Sequence, residues 1–309
     1  MIFMYQILLF YKYTTIKDPV AEIEIQRTLC ERLNLKCRSI IAHEGLNVTL
    51  EGKVEDTEEY IKIMQADPRF KDIHFKRSPG TGSVFPRISI KIRAEIVTLG
   101  LGENDFSPTE TTGKYLQAEE LHDWIKSGKE FYIVDMRNDY EHAVGHFAGS
   151  ILPKLGNFRD LPEVLTELES LKNKTVLTVC TGGVRCEKAS GFLVKNGFKD
   201  VYQLFGGIVT YMEKYPNEDF HGLLYVFDGR VTMGFNVTDP SHVIVGECEL
   251  CKTKTENYID CKYIHCRGHR HILCCTDCEA TQGGYCSEDC KVATVPKKSF
   301  WDMVVNKFI

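Results

Sequence analysis

Apolar and polar positions follow a definite order over the first hundred residues. A β-forming run at 4–13 precedes a helical period at 19–33, in which Val20, Ile23, Leu29 and Leu33 are apolar. Strand-like stretches follow at 37–42 and 46–50, the second alternating apolar with polar. A helix is predicted over 55–65, and two further strands around 73–76 and 88–93. A βαββαβ order is that of a ferredoxin-like split βαβ domain, placed at residues 1–99.

Residues 100–114 are polar, glycine-containing and aperiodic, and read as a linker. From Tyr115 the pattern changes to helices (116–127, 161–171, 186–196) alternating with short buried strands (131–135, 176–180, 201–204). Alternation of this kind predicts a parallel sheet covered on both faces, here over residues 115–220. Sites in such sheets lie beyond the carboxyl ends of the strands, and Cys180 closes one of them. Stretches 223–227 and 231–235 flank Asp228, Gly229 and Arg230, a hairpin signal. That hairpin opens a last segment, 221–309, which is rich in cysteine and ends in a tail with an apolar cluster at 300–305. The expected fold class is multidomain α/β.

The bulk numbers agree with this plan. A chain of 309 residues holds two or three domains, and 43% hydrophobic with 26% charged residues suits a sizeable core. A net charge of −5 gives no global nucleic-acid signal, so such a partner must meet a local patch. One candidate runs from Arg69 to Arg93, with seven basic residues against one acid, Asp72. Lys76, Arg77, Arg87 and Arg93 are its RNA-binding candidates, with Phe75 and Phe85 placed to stack on bases. The plain alternative is a solvated basic sheet face. His43 and Glu44 fit an acid/base pair or a base-edge contact, or simply a turn with Gly45. The apolar first ten residues lack a basic flank and a cleavage signal, so they read as a buried strand. No run reaches the roughly 18 apolar residues of a membrane span. The expectation is a cytoplasmic protein with no membrane association and no evident obligate protein partner.

Thirteen cysteines, an odd number without a secretory signal, argue against a disulfide framework. Cys180 lies between a strand and a helix, in a turn made of Thr181, Gly182, Gly183, Val184 and Arg185. Backbone N–H groups at the helix start favour an anion there, which lowers a thiol pKa from about 8.5 into the range of roughly 3.5–7.5. Arg185 adds positive charge and suits an anion clamp. A buried strand-end thiol is the plain reading of Cys180. A cysteine phosphatase would carry its arginine six positions on, whereas Arg185 is five positions on. Cys186 is either a resolving thiol or an ordinary helix-buried cysteine.

Nine of the thirteen cysteines fall between Cys248 and Cys290, the crowding of a metal site. Two Cys-x2-Cys knuckles, each followed by a further cysteine pair, supply four thiolates twice over, which suits structural zinc. The expected sets are Cys248, Cys251, Cys261 and Cys266, then Cys275, Cys278, Cys286 and Cys290. Interleaved sets stay open, as does a thiolate replaced by His265, His269 or His271. Lys262, Arg267 and Arg270 are positioned to meet RNA. No flavin or nicotinamide fingerprint is present.

The CTGGVRC loop, VDMRNDYEHAVGHFAGSI (134–151) and QLFGGI (203–208) resemble, in order and spacing, the three signatures of rhodanese domains. That resemblance implies a reactive Cys180, loop-scaffold roles for Asp135 and Arg137, and structural roles for His142 and His146. HEGLN (43–47), FKRSP (75–79), AEIVTLG (94–100), FRDLP (158–162) and CTGGVRCEKAS extend it over roughly residues 4–290. Together these are similar to the oxygen-dependent tRNA uridine 5-hydroxylases. What the resemblance implies is tRNA as partner, molecular oxygen as co-substrate, and conversion of a wobble uridine to 5-hydroxyuridine. Cys180 would add to the base as a thiolate or carry oxygen as a sulfenate. A persulfide sulfurtransferase and a zinc-stabilised RNA-binding protein are the rival readings.

Overall fold

The structure is a computed structural model that describes residues 4–266 and 271–294. Arg267, His269, Arg270 and the apolar cluster at 300–305 lie outside the described residues.

Strand β1 (Tyr5–Tyr13) is apolar along its length because both of its faces are covered. Leu8 and Phe10 enter a core with residues of α1 (Pro19–Arg32) and α2 (Val54–Ala66), while Leu9, Tyr11 and Tyr13 pack elsewhere, against the second half of the chain. Asp18 caps α1 by accepting the N–H groups of Val20 and Ala21, both at 3.0 Å. With β2 (Lys36–Ala42), β3 (Gly45–Lys53), β4 (Lys76–Gly80) and β5 (Ile88–Ile92) the sheet order is β4-β1-β3-β2-β5. The β4-β1-β3-β2 part is the expected ferredoxin-like arrangement, with β5 added parallel to β2. Strand β4 starts later than the sequence pattern suggested. Ile73 and Phe75 are buried in the α1–α2 core, and pairing with β1 runs only from Lys76, opposite Leu9.

The second half contains β6 (Lys114–Leu116), α3 (Ala118–Lys126), β7 (Tyr132–Asp135), α4 (Asp139–His142), β8 (Gly145–Phe147) and α5 (Leu161–Val164). The chain runs on from α5 as tight 3-10 turns over Leu165–Leu171, where a single longer helix was expected. Then come β9 (Thr175–Val179), α6 (Val184–Lys195), β10 (Asp200–Leu204) and α7 (Gly207–Lys214). The sheet β6-β10-β9-β7 is parallel throughout.

Strand β11 (Phe220–Gly222) pairs with β8, and β12 (Leu224–Tyr225) with β13 (Thr232–Met233) forms the expected hairpin, Leu224 opposite Met233. The Gly229 N–H donates to the Val84 carbonyl at 3.2 Å, and Arg230 donates to Ser78 Oγ at 2.9 Å. The hairpin therefore packs on the N-terminal sheet, inside a compact unit that ends at Val243.

Within that unit the two α/β halves are tied by buried polar groups. Lys188 of α6, wholly buried, meets Glu44 at 3.0 Å, Glu95 at 2.6 Å and Asp105 at 3.2 Å. The segment joining the halves is pinned as well, with the Gly113 N–H donating to Ser190 Oγ at 2.8 Å.

A second unit begins at Ile244. It holds an antiparallel pair, β14 (Tyr258–Asp260) with β15 (His271–Leu273), and the helices α8 (Thr276–Gln282) and α9 (Glu288–Thr294).

Candidate active site and cysteine clusters

Cys180 follows the end of β9, and its loop is built from its own backbone. The Gly183 N–H donates to Cys180 Sγ at 3.2 Å. Gly183, at φ +101°, precedes the first residue of α6, a left-handed conformation that glycine adopts without a Cβ clash. The Ile208 N–H donates to the Cys180 carbonyl at 2.9 Å, locking the loop to the start of α7. A Cβ on Gly207 would come within 2.6 Å of the Gly183 nitrogen and 2.7 Å of the Cys180 carbonyl oxygen, so the loop requires glycine there.

Burial pushes the Cys180 thiol up. Hydrogen bonding from the Cys186 thiol, the Arg185 charge and the N–H groups of Cys186 and Arg185 outweigh it, and the pKa falls to about 6. At neutral pH the sulfur is a thiolate. Cys186 takes the opposite shift: burial and its bond to Cys180 push its thiol up, so it stays protonated and donates.

Arg185 does not offer its guanidinium to a ligand as expected. It forks onto the Glu141 carboxylate of α4, at 2.5 and 2.8 Å, with both side chains buried. The pair fixes the guanidinium in place beside the loop, and losing one partner of such a pair costs about 3–5 kcal/mol. Asp135 and Arg137 form a second fully buried pair at 2.6 Å, and Arg137 also donates to the Gly145 carbonyl at 2.7 Å. The side chains of both pairs lie under the loop's neighbouring strands and turns. His146 Nδ1 meets the His142 carbonyl at 2.9 Å.

Cys180 has no exposed surface, yet it contributes to the wall of a cavity of about 450 Å³. A reactant can approach this residue through the cavity, whose volume lies in the usual range for small-molecule sites. The N-terminal sheet also lines the cavity, with Leu9 and Tyr11 on β1 and Lys76 at the start of β4, as do Phe227 and Arg230 of the hairpin. Tyr11 donates through its hydroxyl to Glu187 at 2.8 Å.

The basic candidates are placed unequally. Lys76 is buried and donates to the Gly182 carbonyl at 2.9 Å, so it is a loop neighbour and not a residue of an open sheet face. Arg77 pairs with Glu58 at 2.9 Å on the cavity rim, while Arg87 and Arg93 are exposed away from Cys180. Glu44 is committed to Lys188 and accepts the Ile96 N–H at 2.7 Å, and His43 Nδ1 lies 3.0 Å from the Ile16 carbonyl. The stacking expected of Phe75 and Phe85 fails because both rings are buried in the core. Two cavity residues were given no role by the sequence reading, although Arg159 stands inside the quoted FRDLP run. Arg38 on β2 and Arg159 after β8 are exposed at the cavity, and neither has an acidic partner among the described residues. Nothing local ties either to Cys180, because folding alone brings positions 38, 159 and 180 together.

In the second unit the eight expected ligand cysteines gather into two groups, each with its sulfurs within 4.8 Å of one another. The grouping is interleaved: Cys248, Cys251, Cys275 and Cys278 form one, and Cys261, Cys266, Cys286 and Cys290 the other. The sequential sets are thus corrected. The β14–β15 pair brings distant knuckles side by side, as in interlocked fingers. Sulfur separations of 3.5 Å (Cys251 to Cys275), 3.7 Å (Cys266 to Cys286) and 3.6 Å (Cys286 to Cys290) match the tetrahedral edge of about 3.8 Å set by a Zn–S bond of about 2.3 Å. Either cluster could hold a metal ion. Neither His265 nor His271 joins them, and His271 Nδ1 lies 2.6 Å from Asp260.

A thiolate in a glycine turn at the carboxyl end of a parallel sheet is the arrangement of a rhodanese-type cysteine enzyme. Family models agree: residues 5–96 match the UPF0176 acylphosphatase-like domain, 117–214 the rhodanese-like domain and 221–291 the rhodanese C-terminal region. A tRNA uridine(34) hydroxylase of Cytophaga hutchinsonii is 43% identical over 287 residues, covering 93% of this chain and 90% of the relative. One from Enterococcus faecalis is 43% identical over 290 residues with the same coverage, and one from Bacillus cytotoxicus is 42% identical over 291 residues, covering 93% and 88%. The chain belongs to the tRNA uridine(34) hydroxylase family.

Proposed function

We propose that this enzyme hydroxylates carbon 5 of the wobble uridine, position 34, of tRNA with molecular oxygen, and that Cys180 is its nucleophile. Carbon 5 of uracil reacts poorly until a nucleophile adds at carbon 6 and breaks the ring's conjugation, which a preformed thiolate does. The observation that carries the reading is Cys180 held in a glycine turn, with the Gly183 N–H on its sulfur, at a cavity lined jointly by the rhodanese-like half and the N-terminal sheet. Family membership supports the substrate and the product. The two thiolate clusters are proposed to hold structural zinc, whose closed coordination stabilises the second unit and takes no part in the chemistry. A cytoplasmic location follows from the tRNA substrate; among the described residues no helix is long and apolar enough to cross a membrane.

Incubation with unmodified tRNA and a thiol reductant under ¹⁸O₂, followed by nucleoside mass spectrometry, is expected to give 5-hydroxyuridine carrying one heavy oxygen atom, the reductant supplying the two electrons that take the second atom to water. Incorporation from labelled water instead removes oxygen from the reaction. Thiocyanate release from thiosulfate and cyanide, without any change in the tRNA, establishes the sulfurtransferase in its place.

Arg38 and Arg159 are the residues proposed to hold the phosphates beside the reacting nucleotide. Replacing either with alanine is expected to weaken tRNA binding about tenfold and to lower the salt slope by roughly one, with kcat nearly unchanged. Filter binding across a salt series checks this, and an unaltered slope in both variants removes them from the interface.

A further inference from the structure

We propose that Lys76 is a catalytic residue, its ammonium stabilising the negative charge that appears on the uracil C4 carbonyl oxygen as Cys180 adds to carbon 6. The inference rests on the reading of Cys180 as nucleophile and extends it to the N-terminal sheet's share of the cavity lining.

Among the described residues, four cationic side chains are buried: Lys76, Arg137, Arg185 and Lys188. Three of them meet carboxylates, namely Asp135, Glu141, and the Glu44–Glu95–Asp105 group. Lys76 meets none within ion-pair distance. Among the described residues its hydrogen-bond acceptor is the Gly182 carbonyl, at 2.9 Å, and its Nζ lies 5.0 Å from the centre of the Tyr11 ring. An ammonium has three N–H donors, so donor capacity is left over beside the cavity. Burying an unpaired charge is costly, and such a group persists where an anion is to be met. That anion is present in two forms. One is the Cys180 thiolate at rest, and the other is the enolate formed as it reacts.

The addition balances in electrons and charge. The sulfur lone pair forms the S–C6 bond, the C5=C6 π pair moves through C4 onto its carbonyl oxygen, and the negative charge passes from sulfur to oxygen. Lys76 donates a hydrogen bond to that oxygen and keeps its proton. A donor preorganised in a water-poor cavity is worth about 100–1,000-fold in rate.

The surroundings determine when Lys76 carries its charge. Burial lowers its pKa, the Cys180 and Glu187 charges oppose this, and the balance falls at about 8. Tyr11 faces it from β1, and Tyr115 from β6 with the Lys12–Asp72 ion pair beyond. Arg77 follows it in the chain. His74, two residues before, is held neutral near neutral pH, its pKa pushed down to about 4 by burial and by Lys76 itself.

The test uses the full-length protein and an anticodon stem-loop carrying 5-fluorouridine at the wobble position, whose fluorine activates carbon 6 and, once carbon 5 has taken up a proton or oxygen, blocks the proton loss that would expel the sulfur. Wild type is expected to form a covalent adduct on Cys180, and Cys180→Ala none. Lys76→Met is expected to form it about 100–1,000-fold more slowly, with RNA affinity within threefold of wild type. In wild type the rate should fall above about pH 8 as Lys76 loses its proton, and in Lys76→Arg that alkaline limb should move beyond pH 10. An adduct rate in Lys76→Met within threefold of wild type overturns the proposal and leaves the Cys180 reading intact. So does a rate loss matched by lost RNA affinity. If Lys76→Met does not fold, an unmoved alkaline limb in Lys76→Arg overturns it equally. Absence of any wild-type adduct takes down the Cys180 reading and Lys76 with it.

Discussion

Cys180→Ala is expected to lose 5-hydroxyuridine formation by at least about a thousandfold, the effect of deleting a nucleophile for which no neighbour substitutes. Affinity for tRNA should hold, because the sulfur is wholly buried and contributes one small group to a cavity edged by arginines. The wild-type rate should also fall with acid: as pH drops through about 6 the thiolate gains a proton and the reactive fraction shrinks. Iodoacetamide labelling of the Cys180 peptide across pH measures that fraction directly. Cys186→Ala deletes the thiol that donates to Cys180, so the labelling midpoint should climb toward the ordinary range near 8.5. Hydroxylation undiminished in Cys180→Ala would end the thiolate mechanism whatever the labelling shows.

The second large effect concerns metal. Chelation is expected to unfold the unit that begins at Ile244 while the unit ending at Val243 keeps its secondary structure. A four-thiolate zinc site contributes on the order of 10–16 kcal/mol to folding of so small a segment. Elemental analysis should find two zinc ions per chain. Cys251→Ser and Cys275→Ser should each lower the count to one, and the double variant should still hold one, since both thiols belong to the same cluster. Combining Cys251→Ser with Cys261→Ser should leave none. Under sequential pairing these last two outcomes would be exchanged, so metal counting alone decides the ligation. A unit that keeps its cooperative fold with no metal bound would remove zinc from the architecture.

What the sequence made legible is what is local along the chain. The Cys180 loop could be read because strand, glycine pair and helix are contiguous, whereas the resemblance implied scaffold roles for Asp135 and Arg137 without showing that they pair. What could not be read is what folding brings together across long separations. Lys76 meets Gly182 over 106 residues and Tyr11 meets Glu187 over 176, with no periodicity linking either pair. The basic run from Arg69 to Arg93 misled for a related reason. Its lysines and arginines suggest one surface, but Phe75 and Phe85 turn into the core and Lys76 into the cavity, so the run faces several ways. Cysteine spacing identified the knuckles, yet spacing does not say which knuckle meets which. The β14–β15 pairing decides that.

The position of β1 has a bearing on what the loop can react with. In a rhodanese-like half standing alone, the Cys180 loop would look out on bulk water, where a sulfur carrier can hand its cargo to any passing acceptor. Here Leu9 and Tyr11 roof the loop and Tyr13 approaches the Val184 carbonyl at 3.4 Å, so the same turn faces a closed room. The neighbouring strand, rather than any change in the loop's own strand, turn and helix, sets which reactants the sulfur meets.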